Sequence, residues 1–251
     1  MSEAIKDLLY RMADNELVIG HRGSEWTGLG PILEEDIAFS SIAQDQIGHA
    51  LANYSILNTE FGEADPDTLA YTRQEKDYKC CQLVELPIGE YDFSLMRHFL
   101  FDHSESLRYE LLMNSSFAPL ASLAKKIKGE LKYHILHADL WITKLGNGTE
   151  ESHARMQTAL NEAMPFALGI FEPSNFEDEL ISSTVFIGEK KLQELWLERI
   201  TPVLDRAHLS MPDLTTIEPK YGGRKGFHTE YLQPMLDELS EVFRFEPTAT
   251  W

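Results

Sequence analysis

No stretch of this 251-residue sequence approaches the roughly 20 consecutive apolar residues that a membrane-spanning helix requires. Cysteine is almost absent. Cys80 and Cys81 are the only two, and adjacent cysteines bridge each other only with strain. They make neither a disulfide framework nor a zinc-ligand spacing, and such usage fits a reducing cytoplasm. The first 22 residues carry Glu3, Asp7, Asp14 and Glu16 inside an amphipathic pattern, which is not that of a signal peptide. Positive charge is scarce: 22 basic against 41 acidic residues leave a net charge of -19. Such a chain repels phosphate backbones and anionic lipid surfaces, so nucleic acid and membrane are poor partners. The bland meaning of the acidity is solubility; the sharper one is docking onto a basic partner. There is also no internal repeat, no low-complexity tract, no linker and no alternating β-branched run. One domain over residues 1–251 is the simplest organisation. The sequons at Asn114 and Asn147 fall in expected turns and carry no weight in a cytosolic chain.

What the sequence does contain is helical periodicity. Its 43% hydrophobic and 25% charged residues suffice for a buried core and argue against disorder. Helices are expected at about 4–20, 32–61, 93–113 and 119–145. Further helices are expected from Thr149 onward, at about 189–209 and at 229–245, with a short one near 68–78. Gly146-Asn147-Gly148 is a stop signal and Thr149 an N-cap followed by Glu150 and Glu151. Pro165 should kink or break the helix that follows, and Pro202 lies inside the next. The expected class is all-α: a ferritin-like four-helix bundle core with extra C-terminal helices.

Each of the first four long helices places polar residues within its apolar stripe. Helix one gives Ile5, Leu9, Met12, Glu16 and Ile19, in steps of four, three, four and three. Helix two gives Ala38, Ile42, Asp45, His49, Ala52 and Ile56. Helix three gives Leu95, His98, Asp102, Glu105, Tyr109 and Leu112. Helix four gives Leu120, Leu123, Ile127, Glu130, His134, His137 and Trp141. A carboxylate inside a core is destabilising by several kcal/mol unless paired, protonated or bound to metal. The repetition over four helices therefore points to one shared polar centre.

The chain order of acid, acid with histidine, acid, acid with histidine is that of carboxylate-bridged di-iron bundles, and such donors suit iron or manganese. The pairs in those bundles are Glu-x-x-His, three apart. Here Asp45/His49 and Glu130/His134 are four apart, with Gln46 three before His49 and Tyr133 three after Glu130. A metal centre and a metal-free network of acids with imidazolium both remain open. His98, His137 and Glu105 are expected to be partly exposed or to lie outside the ligand sphere.

Several stretches then become specific together: Gly20-His21-Arg22-Gly23-Ser24-Glu25-Trp26, Leu33-Glu34-Glu35-Asp36-Ile37-Ala38, Leu83-Val84-Glu85-Leu86-Pro87-Ile88-Gly89, Lys132-Tyr133-His134, Leu145-Gly146-Asn147-Gly148-Thr149-Glu150, and Gly222-Gly223-Arg224-Lys225-Gly226-Phe227-His228-Thr229-Glu230-Tyr231-Leu232. With them the sequence, from Asp14 to Trp251, resembles the C subunits of the phenylacetyl-CoA epoxidase (phenylacetate-CoA oxygenase) complex. The resemblance implies a ferritin-like fold and a part in aerobic phenylacetate breakdown. In that family the complex epoxidises the aromatic ring of phenylacetyl-CoA. A related A subunit carries the di-iron centre and binds substrate, and the C subunit is its structural partner. A small B subunit and a flavin and iron-sulfur reductase complete the system. Asp45, Asp102, Glu130 and His134 match the polar remnant of the C subunit. His49 stands where Gln is usual, and Glu16 where a residue that cannot bind metal is common; both departures restore potential ligands.

The Gly-rich loop Tyr221–Gly226 is no Walker or dinucleotide fingerprint. Arg224 and Lys225 are expected to face a partner subunit, ahead of the phosphates of CoA. The leading expectation is a non-catalytic scaffold for the A subunit. The alternative is a di-iron oxygenase or oxidase using Glu16, Asp45, His49, Asp102 or Glu105, Glu130 and His134. Homodimerisation is a further expectation. Iron storage is disfavoured by the length and the long connections.

Overall fold

The computed structural model describes residues 1–246, and among these it shows ten α-helices, four short 3-10 turns and no strand. The fold is all-α and ferritin-like in kind, as the helical periodicity anticipates. Residues 247–251, which the single-domain expectation includes, lie outside the described residues.

The helices gather into two compact units. One joins Ser2–Pro87 to the C-terminal segment starting at Gly222. It holds α1 (Ser2–Ser24), α2 (Leu33–Phe61), α3 (Pro66–Tyr71), α4 (Gln82–Glu85) and α10 (Leu232–Phe245). The other, Ile88–Tyr221, holds α5 (Tyr91–Leu112), α6 (Ala118–Gly146), α7 (Glu150–Leu168), α8 (Glu177–Ser182) and α9 (Glu189–Arg206).

In the first unit α1 and α2 run antiparallel: Gly23 meets Ala43, Gly20 meets Ile47, Glu16 meets His49 and Asp14 meets Tyr54. The expected stop at Gly20 does not occur, and α1 continues to Ser24. Gly20 is a packing residue. A Cβ there would lie 2.9 Å from Ile47 Cγ1 and 3.1 Å from Ala43 O, so its absence lets the two helices close on each other. The real stop signal acts at the end of α2, where Gly62 takes a φ of 69° and its N–H reaches Asn58 O.

In the second unit α5 and α6 are likewise antiparallel, with Tyr91 near Trp141, His98 near His137 and Asp102 near His134. α6 ends at Gly146, and the Thr149 side chain caps α7 by accepting the Ser152 N–H at 3.1 Å, as expected. Pro165 does not break α7, which runs to Leu168 before tightening into a 3-10 turn. The buried face Leu160, Ala163, Met164, Ala167 and Leu168 outweighs the one backbone bond that proline removes in the last turn. α9 passes through Pro202 in the same way, ending at Arg206. α4 and α8 are four and six residues long, too short to show a period.

Candidate functional site

In the first unit Glu16 projects from α1 and His49 from α2, and burial leaves them 1% and 2% exposed. His49 Nδ1 lies 3.4 Å from Glu16 Oε1. These two are brought together as the stripes require. Asp45, one turn before His49, is half-buried. The inward residue at that level is Gln46, 3% exposed, because the buried stripe of α2 runs Ile42, Gln46, His49, Asn53, Leu57.

In the second unit Asp102 of α5 and His134 of α6 are both buried. His98 Nδ1 lies 2.6 Å from Asp102 Oδ2, and His134 Nδ1 lies 3.6 Å from the same oxygen. Burial works to raise the Asp102 pKa. The opposing charge and hydrogen bond of His98, with His134 and His103 behind it, overcome that and hold the carboxyl below its ordinary 3.8. His98, His137 and Glu105 are buried as well, so of their two expected placements partial exposure is not the one found. The His98 and His137 rings are 5.5 Å apart. Glu105 is committed to Arg108, whose Nε donates to Glu105 Oε1 at 3.0 Å while Nη1 and Nη2 grip both oxygens of Glu189 at 2.7 and 3.0 Å. His103, which lies outside the expected stripes, joins Asp139 through Nε2 at 2.8 Å.

Glu130 corrects the expected stripe, for it is exposed. The buried line of α6 runs Leu120, Ala124, Ile127, Leu131, His134, Ala138, Ile142, so Leu131, 3% exposed, takes the inward place and Glu130 sits at the edge. The same one-residue offset therefore holds in both acid-histidine helices. A Glu-x-x-His pair needs its acid three before the histidine. Those places are filled by Gln46 on α2 and Leu131 on α6. The residues present do not fit a carboxylate-bridged di-iron centre, which takes an acid from each of its two histidine-bearing helices.

Arg224 also departs from expectation. Its guanidinium is buried within the first unit, with Nη1 donating to Lys79 O at 2.7 Å and Asn15 Oδ1 at 3.0 Å. A partner cannot use it without unpacking the loop. Lys225 next to it is exposed.

Sequence reasoning misses one further group. Cys80, Glu85 and His228 bring a sulfur, a carboxylate oxygen and a ring nitrogen within 4.8 Å of one another. Glu85 and His228 both lie in motif-bearing stretches, but 143 residues separate them, so no local spacing could join them.

An all-helical fold whose facing helices bury acid-histidine pairs defines a chain of the ferritin-like helical class. The model of the family described as phenylacetic acid catabolic protein matches residues 1–251, and the chain belongs to that family. It is 33% identical over 243 residues to the C subunit of the 1,2-phenylacetyl-CoA epoxidase of Escherichia coli (strain K12), with 96% of each chain covered.

Proposed function

We propose that this chain is the structural, non-catalytic subunit of a multicomponent 1,2-phenylacetyl-CoA epoxidase of aerobic phenylacetate catabolism. In this role it supports the di-iron A subunit in the cytoplasm, alongside the B subunit and the reductase. The likeness to an epoxidase C subunit over almost all of both chains supports the assembly. The observation that carries the non-catalytic role is the pair Gln46 and Leu131, which stand where metal-binding acids would be needed. Within each unit the buried acids and histidines then act as a metal-free network of charges and hydrogen bonds that orders the helices of that unit.

A chain that works within a complex needs apolar surface to offer. The outward side of α2 presents Leu33, 71% exposed, with Ile37 and Leu51, and the outward side of α6 presents Leu136, 67% exposed, with Leu140 and Tyr133. We assign these faces to partner contact within the epoxidase. Among the described residues, no helix is long and apolar enough to cross a membrane.

Reconstitution tests the proposal. The A subunit purified with this chain, and supplied with the B subunit, the reductase, its electron donor and O2, should epoxidise phenylacetyl-CoA, and substituting His134 or Glu16 by Ala should alter the stability of this chain while leaving turnover per intact complex unchanged. Full epoxidation without this chain, or failure of the two proteins to co-purify, would remove the assignment. The burial of Glu16, His49, Asp102 and His134 is what would favour a second reading, an oxidase with its own metal. That reading requires His134→Ala to abolish turnover in a complex that still assembles.

A further inference from the structure

The Gly-rich loop is built to deliver His228 to the Cys80–Glu85 segment. A Cβ on Gly223 would sit 2.2 Å from Cys80 O, and one on Gly226, at φ +79°, would sit 2.4 Å from Lys76 O. Only glycine allows the loop to lie so close, and the buried Arg224 guanidinium ties it to Lys79 O. The loop thus seats the His228 ring, whose side chain is 1% exposed, beside the fully buried Cys80 and Glu85.

Three donor atoms converge there. Glu85 Oε1 lies 2.7 Å from His228 Nδ1 and 3.6 Å from Cys80 Sγ, and Sγ lies 3.9 Å from Nδ1. Bonds of about 2.0–2.3 Å to a tetrahedral zinc place S, N and O donors about 3.3–3.6 Å apart. The triangle is close to that size: the Sγ–Oε1 edge already matches, the Nδ1–Oε1 edge must open by about 0.6 Å and the Sγ–Nδ1 edge must close by about 0.3 Å. Its surroundings are those of a ligand set. His228 Nε2 faces Tyr78 O at 3.1 Å, so an Nε2–H donated to that carbonyl leaves the Nδ1 lone pair facing Sγ and Oε1. Glu85 Oε2 accepts from both the Thr229 N–H and its hydroxyl at 2.7 Å, which leaves Oε1 for the centre.

We propose that Cys80, Glu85 and His228 form a binding site for one divalent cation of the zinc class, distinct from the acid-histidine pairs on the long helices. Thiolate, imidazole and carboxylate together select a borderline-soft ion such as Zn2+ over Mg2+ or Ca2+. Without a cation, the 2.7 Å hydrogen bond between His228 Nδ1 and Glu85 Oε1 holds the same residues together, and burial pushes the Cys80 thiol pKa well above its ordinary value. A cation entering would displace the proton of that hydrogen bond and the proton of the thiol. Three protein donors leave a fourth position to water. The site would pin the C-terminal loop to the segment that leads into α4.

The full chain, stripped with chelator and titrated with Co2+, tests this. Near one cobalt per chain is expected, about the occupancy of a single mononuclear site, with a thiolate-to-cobalt charge-transfer band in the near ultraviolet. Cys80→Ser should abolish the band, His228→Asn should weaken binding at least tenfold, and His134→Ala should leave both unchanged. Cobalt retained no better than by Cys80→Ser, or a band that survives that substitution, would overturn the proposal. Should Cys80→Ser fail to fold, the wild-type melting temperature decides: Zn2+ should raise it and Mg2+ should not. No zinc-specific rise would overturn the proposal and leave the three residues as a hydrogen-bonded latch only.

Discussion

Asp102 illustrates how a single residue contributes to the pH behaviour of the interior. Its carboxyl is depressed below 3.8 in the folded chain and returns to the ordinary value on unfolding. A depressed acid contributes stability that is present above the unfolded pKa and disappears as pH falls through the folded one. Asp102→Asn should therefore flatten the acid limb of the stability curve below about pH 4, read by urea unfolding at stepped pH. At neutral pH it should destabilise the chain by about 3–5 kcal/mol, since the buried pairing of the carboxylate with His98 and His134 is lost. Arg108→Met should be similarly costly, about 3–5 kcal/mol, because it strands Glu105 and Glu189, both buried, without the guanidinium they share. At this scale the sequence is legible in part. Glu16, His49, Asp102 and His134 read as interior groups and are interior. Asp45 and Glu130 fall one residue off, because a helical stripe is wide enough to admit either neighbour at its edge. Cys80, Glu85 and His228 escape because the contact among them is made by chain folding and leaves no spacing to read.

Among the elements, the long helices are readable from periodicity and the α6–α7 boundary from Gly146 and Thr149, whereas the expected end of α1 at Gly20 falls short of the real one. A glycine in a sequence reports either a stop or a close approach, and only the facing helix decides between them. The close approach has a measurable consequence. Gly20→Val should force Ile47 and the Ala43 carbonyl aside and lower stability by about 1–3 kcal/mol, the usual toll of overpacking, despite the better helix propensity of valine. Thermal unfolding of the variant checks the sign. The short α4 and α8 and the passage of α7 through Pro165 are not legible, since tertiary burial rather than local preference maintains them.

For the whole molecule, the acidity, the exposed leucines of α2 and α6 and the family membership bear on one theme, a chain that works by association. Leu33→Glu combined with Ile37→Glu should reduce co-purification with the A subunit by at least tenfold. Because both side chains are exposed, the melting temperature of the isolated chain should barely move. The central claim is that the buried acids and histidines hold no di-iron centre, and iron content tests it most directly. After anaerobic loading with Fe2+ and removal of loose metal, the chain should retain no iron that depends on His134. About two irons per chain in the wild type, lost in His134→Ala, would contradict the account.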